Sequence, residues 1–441
     1  MDIRTIFVTS LTITALAIAS GVAAAGPSDA NALKAMTVTT FNFKDLQRAR
    51  SGGAPAMMRS ATVSVTSSGS PSQVTTARAH ESEDQLPLWT FDVVARRDGH
   101  HHQGAMVGTS PFEDAEKTEV PTHIIPLIIR THTIATGLNA TTGFFTTAPG
   151  NVTMDPTAVD ATWLTAPNNV PSRLLAQSPL FQPAPFSFGG TDLGTTQYVD
   201  AVQRGGFYKA LGSNLEDYHV LLDPVTVVTG IVVDVPANEG LAITDPLFFG
   251  APACCAPFQF IDINWLDTYI NGTLLPQLAK RGVGPSNLPI FFIYNATIAI
   301  GVTNLFGGCC IGGYHSIGGQ PIPAQTYAVS VLDESGFFTA GGEDTSILSH
   351  ELGEWANDPY TVNLVPPWGH TGQVSGCQNN LEDGDPLTGT LMPPVTMPNG
   401  HTYQLQELAF FSWFFGGSSL GANGWFSSNG TFKTDAGPVC P

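Results

Sequence analysis

Positive charge is what this chain most lacks. Only 17 Lys and Arg are spread over 441 residues, against 36 Asp and Glu, for a formal net charge of −19. Such a balance excludes a nucleic-acid groove or an anionic membrane surface as the main partner. Long apolar runs are also scarce. The longest stretch without Asp, Glu, Lys or Arg, Gly282 to Leu332, is broken repeatedly by Gly, Pro and Asn. It reads as buried strands and tight loops, not a membrane span. No phosphate-binding loop and no dinucleotide fingerprint is present. "GGYHSIGG" places His315 beside Ser316 but lacks the spacing of a Gly-x-Ser-x-Gly nucleophile elbow, so it reads as a glycine-rich loop. Cysteine is sparse and late: Cys254, Cys255, Cys309, Cys310, Cys377 and Cys440.

The N-terminus has one Arg, an apolar run from Ile6 to about Ile18, and a small-residue end at Ala23-Ala24-Ala25. This is the pattern of a signal peptide over 1–25, so the mature chain is expected to be secreted or periplasmic, without a transmembrane segment. In an exported chain six cysteines imply disulfides. The adjacent pairs are expected to cross-link two loops, with Cys377 joined to Cys440. A thiolate zinc site is the rival, but the spacing fits no common one. Five Asn-x-Ser/Thr sequons, at Asn139, Asn151, Asn271, Asn295 and Asn429, matter only in a host that glycosylates.

Residues 26–85 are rich in Ser, Thr, Ala and Gly and read as a linker or pro-segment holding one helix or strand at most. A small β-rich unit is expected over 86–150, opening with the hairpin "LWTFDVVAR…AMVGTS", whose turn carries His100, His101 and His102. A histidine run in a turn is more often solvated than metal-bound. Residues 151–441 mix strands and helices: helices at 195–211, 263–282 and 403–417, strands in 218–236, 288–301 and 325–333, and a closing hairpin in "GWFSSNGTF". The fold class expected is α+β.

"TSILSHELGEWANDPY" (345–360) carries the chemistry. Asp344 or Thr345 can cap a helix and Asn357-Asp358-Pro359 stops it. At about 100° per residue, His350 and Glu354 lie on one face, roughly 40° apart. Glu351 adjoins them, and Leu348, Leu352 and Trp355 form the neighbouring apolar arc. His350 and Glu354 are suited to hold a divalent metal, and Glu351 to take a proton from water. A third ligand is required.

His350-Glu351 with a ligand-capable residue four positions on resembles the active-site helix of zincin metallopeptidases, and "QTYAVSVLD" resembles the strand that precedes it. The resemblance implies a zincin-like mixed sheet, a zinc cofactor and a peptide or protein substrate. In the gluzincin branch the third ligand is a downstream glutamate, which carries over to Glu382 in "NNLEDGDPLTG". Asp385 is then a supporting carboxylate or an alternative ligand. His370 and His401 are weaker alternatives, and Tyr314 or His315 would line the cleft as oxyanion donors. The departure is Glu354, where the family has a second histidine. Two carboxylates and one imidazole neutralise a divalent ion and make a metal harder than zinc admissible. "SHELGEWANDP", "GQVSGC" and "LEDGDP" also resemble, over about residues 285–441, exported bacterial relatives of the Exordium (phosphate-induced) proteins. That resemblance implies the alternative: a non-catalytic cell-surface or ligand-binding protein with a structural metal.

Overall fold

A computed structural model describes residues 38–40, 85–113, 115–160, 169–250, 254–318, 324–338, 344–434, 437, 438 and 440. The expected signal peptide and nearly all of the expected linker lie outside them. From the linker, Val38–Thr40 forms a short strand antiparallel to Ile311–Gly318. No helix among the described residues is long and apolar enough to cross a membrane.

The fold is α+β, and its central element is a seven-stranded closed sheet. Its strands, in spatial order, are Thr122–Leu138, Leu288–Tyr294, Gln325–Leu332, Ile311–Gly318, Ala296–Ala299, Phe258–Asp262 and Gly240–Ile243. The last of these pairs back onto Thr122–Leu138. Parallel pairings at Ile290↔Ala328 and Ile124↔Ile290 set the register of the inner strands. Parallel strands are covered on both faces, and so read as continuous apolar runs. All seven residues of Leu288–Tyr294 are buried. Leu288, Ile290, Phe292 and Tyr294 face one core, while Phe291 and Ile293 face a second. The low charge of the 282–332 stretch follows from this two-sided burial.

The hairpin expected near the start is present, Leu88–Val94 against His101–Val107 in antiparallel register from Leu88↔Val107 to Val94↔His101. His101 and His102 therefore lie in its second strand, and only His100 remains in the turn. The 86–150 stretch does not stand apart. Trp89, Phe91 and Met106 share one core with Trp355, and Thr122–Leu138 runs through the middle of the main sheet.

Two expectations near the C-terminus fail for one reason. Of the helix expected over 403–417, only Phe411–Phe415 is helical. The rest is extended, because its backbone bonds outward: Gln406 N–H to Ser349 Oγ, Glu407 N–H to Thr390 O, and Ala409 N–H to Asp383 O. Nor does "GWFSSNGTF" form a ladder beyond the Phe426 N–H to Phe432 O bond. The buried Glu407 carboxylate takes the donors of Asn429 N and Thr431 N instead.

Three close cysteine pairs are present, as disulfides. Each adjacent pair closes on itself, Cys254 with Cys255 and Cys309 with Cys310, so the expected cross-link between the two loops is not made. The loops have different neighbours: Cys255 N–H bonds Ser335 O, whereas Cys310 leads straight into strand Ile311–Gly318. Cys377 pairs with Cys440, as expected, across 63 residues. Closing a loop of that length stabilises by about 4 kcal/mol in the chain-entropy treatment. Cys440→Ser should lower the unfolding free energy by an amount of that order. A denaturant midpoint equal to wild type under oxidising conditions would show that the bridge contributes nothing.

A buried histidine and carboxylate centre

The helix Ser346–Asn357 is buried along its whole length. Leu348, Leu352 and Trp355 enter the larger core as the wheel requires, and the Trp355 indole N–H donates to Thr326 Oγ1 at 3.0 Å. Its start is held differently from the expectation. Neither Asp344 nor Thr345 caps it. Thr345 Oγ1 donates to Gln404 O, and Asp344 Oδ2 accepts from Gln404 N–H. Both side chains thus fasten the helix to the extended 403–410 segment. The stop is as read, with Asp358 N–H bonded to Glu354 O.

The adjoining polar edge of the helix builds the site. His350 Nε2 stands 2.9 Å from Glu354 Oε1 and 3.6 Å from Asp385 Oδ1. His350 Nδ1 lies 3.1 Å from Gln406 Oε1, while the Gln406 amide nitrogen donates to Gly384 O. The Gln406 oxygen is therefore an acceptor, so Nδ1 keeps a proton, and Nε2, facing the carboxylates, is the nitrogen left for a metal to take in exchange for the ring's second proton. Nε2 makes no hydrogen bond despite its proximity to Glu354. Two donor atoms aimed at a common point, not at each other, have this geometry. In a tetrahedral zinc site with bonds of about 2.0–2.1 Å the ligand atoms stand roughly 3.3 Å apart. Asp385 N–H also donates to Glu354 Oε1 at 3.2 Å.

Asp385, expected as an alternative ligand, is the carboxylate that joins His350 and Glu354; the donor atoms of these three lie within 4.8 Å of one another. Glu382, the third ligand implied by the resemblance, stands elsewhere: its Oε2 is 3.9 Å from His315 Nε2, and its Oε1 accepts from Asn380. The 3₁₀ turn at Asp385–Leu387 brings Asp385 inward, and Gly384 beside it leaves no spare room. A Cβ at 384 would come within 2.5 Å of the His350 ring. On the helix itself, Gly353 lets Asp383 and Leu408 approach; a Cβ there would meet Leu408 Cδ1 at 2.4 Å.

His315 and Tyr314 part company because neighbours on a strand face opposite sides. Tyr314 turns its hydroxyl toward Asp267, on the other face of the strand from His315. His315 points at the helix, with Nδ1 3.6 Å from both Glu351 Oε2 and Glu354 Oε2. His370 is exposed, 3.8 Å from Cys377 Sγ; as Cys377 is bonded to Cys440, that trio has no thiolate to offer a metal. His401 pairs with Asp344 at the start of the helix. In the hairpin, His101 and His102 pair with Asp92 and Asp98 at 2.8 Å. Gln406 is the site residue without a signal of its own in the sequence, since it lies in a stretch whose composition predicts a helix. The alternation Tyr403, Gln404, Leu405, Gln406 was the available signal of an extended segment.

Glu351, Glu354, Asp358, Glu382, Asp383, Asp385, His315 and His350 are all fully buried. Burial raises Glu351, Asp383, Asp385 and Glu382, the last three strongly, with the Glu354 charge adding to the rise. Burial also lifts Asp358 to about 7. Burial opposes the charged His350, yet Glu354 outweighs it and raises the imidazole to about 10. Against its own desolvation, His350 holds Glu354 at about 2. Among the described residues, the cationic groups set against six carboxylates are two imidazoles. Uncompensated buried charge is costly. A divalent cation therefore fits both the charge and the aimed lone pairs.

Comparison with family models, with curated proteins and with solved structures found no match.

Proposed function

We propose that this is an exported, metal-dependent hydrolase of zincin-like type, acting on peptide bonds, with its metal held by His350, Glu354 and Asp385. The observation that supports it is the fixed tautomer of His350, whose Nδ1–H is committed to Gln406 and whose Nε2 faces two carboxylates. Imidazoles held from behind in this way are the usual ligands of a bound metal. A bound metal of this class supplies polarisation of water and of the substrate carbonyl. Glu351, one residue along the same helix edge, would accept a proton from the attacking water and return it to the leaving amine. Burial raises its pKa above the ordinary carboxylate value, which makes it a stronger base than an exposed glutamate. With one imidazole and two carboxylates, manganese is as admissible as zinc.

One observation favours the second reading, a structural metal in a non-catalytic exported protein of Exordium-like kind. Every donor is fully buried, and hydrolysis needs a path for substrate. Glu351→Gln separates the two. As a hydrolase, the variant should keep the metal held by His350, Glu354 and Asp385 and lose at least about 100-fold in peptide cleavage, the usual contribution of a general base. Wild-type protein that holds stoichiometric metal but cleaves nothing in a broad peptide library establishes the structural reading.

A further inference from the structure

We infer that the centre takes a second divalent cation, held by His315, Glu351 and Glu354, with Glu354 bridging the two positions. This rests on reading His350, Glu354 and Asp385 as a cation site. The second trio meets the same distance test as the first, its donor atoms lying within 4.8 Å of one another, and Glu354 is common to both. The two oxygens of Glu354 divide between them. Oε1 lies beside His350 Nε2, and Oε2 lies 3.6 Å from His315 Nδ1.

The tautomer of His315 is as constrained as that of His350. Its Nε2 is 3.2 Å from the Asp358 carbonyl oxygen, which can only accept, so the proton sits on Nε2. Glu382 Oε2 stands 3.9 Å behind the same nitrogen. An imidazole backed by a carbonyl and a carboxylate is the outer-shell pattern of a metal-bound histidine. It gives Glu382 a task other than the ligand role implied by resemblance. Nδ1 then turns a lone pair toward Glu351 Oε2 and Glu354 Oε2. Both Nδ1 of His315 and Oε2 of Glu354 are buried and make no hydrogen bond. A cation placed where these three atoms converge meets all of them at once and offsets the two carboxylates in a water-poor interior. A carboxylate shared through its two oxygens sets paired cations about 3.5–4 Å apart, the spacing of two-metal sites. In this state Glu351 is a ligand.

The test is metal content of the full chain, stripped, reconstituted with Zn²⁺ and freed of excess by gel filtration. Wild type should retain about two equivalents and His315→Gln about one. One equivalent in wild type overturns the second position and leaves the proposed hydrolase site standing; none overturns both. Two equivalents in a folded His315→Gln variant overturn the assignment to His315. A second measurement needs no variant. Wild type loaded with Mn²⁺ should show an exchange-coupled EPR spectrum, with hyperfine lines more closely spaced than those of an isolated ion. Spectra of two independent ions overturn the bridge.

Discussion

Glu354→Gln is expected to strip the protein of metal and of the stability that metal confers. Glu354 is the one side chain that belongs to both trios of donors. An amide in its place keeps one oxygen and turns a pair of N–H donors toward an imidazole lone pair. Outer-shell changes around metal ligands already cost about 10–100-fold in affinity. Losing a charged ligand, with its neutralising role, should cost more. The thermal consequence follows by mass action. At a free metal concentration about 1,000 times the dissociation constant, binding stabilises by about 4 kcal/mol. For a chain this long, that corresponds to a shift in Tm of about 5 °C. Wild type should therefore lose roughly that much on treatment with EDTA, and Glu354→Gln should be insensitive to the chelator. Calorimetry with and without EDTA reads both. An EDTA-insensitive wild type, or a variant still carrying stoichiometric metal, would defeat the assignment.

The parts of this centre that lie on one helix were legible in the sequence, and the parts brought from elsewhere were less so. Spacing alone put His350 and Glu354 on one edge, with Leu348, Leu352 and Trp355 beside them, and the structure keeps that arrangement. Asp385 could be named as an alternative ligand because the acidic run "LEDGDP" is short. Which of its carboxylates turns inward depends on the 3₁₀ turn and on Gly384, and neither has a periodic signal. His315 reaches the helix through strand order: Ile311–Gly318 pairs antiparallel with Gln325–Leu332, and the helix packs across both. A pairing of that kind is set by the whole sheet. The 403–410 segment misled for the opposite reason. Its residues favour a helix, but Ser349, Thr390 and Asp383 hold its backbone donors in an extended course. That tertiary pull also places Gln406 behind His350.

Acidification should move the metal-free and metal-loaded proteins in opposite directions. Consider first the protein without metal. His350 is raised to about 10, so the stability it contributes is fully present below its unfolded value of about 6.5 and is lost as pH rises through about 10. Asp383, Asp385 and Glu382 are raised well above the ordinary carboxylate range by burial, and Asp358 to about 7. Near neutrality the unfolded chain has already released these protons, whereas the folded state holds them more tightly. Folding thus takes up protons, and stability increases as pH falls toward about 4–4.5, where the unfolded carboxyls also become protonated. Glu354 acts the other way. Held at about 2, it contributes stability above the unfolded value that is lost as pH falls through about 2. The Tm of EDTA-treated protein should therefore rise between about pH 8 and 5 and turn downward in stronger acid. With metal bound the order reverses, because protons compete with the metal for His350, His315 and the carboxylates, and release of the metal removes its stabilisation. The loaded protein should lose Tm across the same interval, and the two curves should converge near its lower end. Thermal denaturation of both forms at half-unit steps of pH measures this directly. Two curves that fall in parallel on acidification would mean that the buried carboxylates are not what the metal holds together.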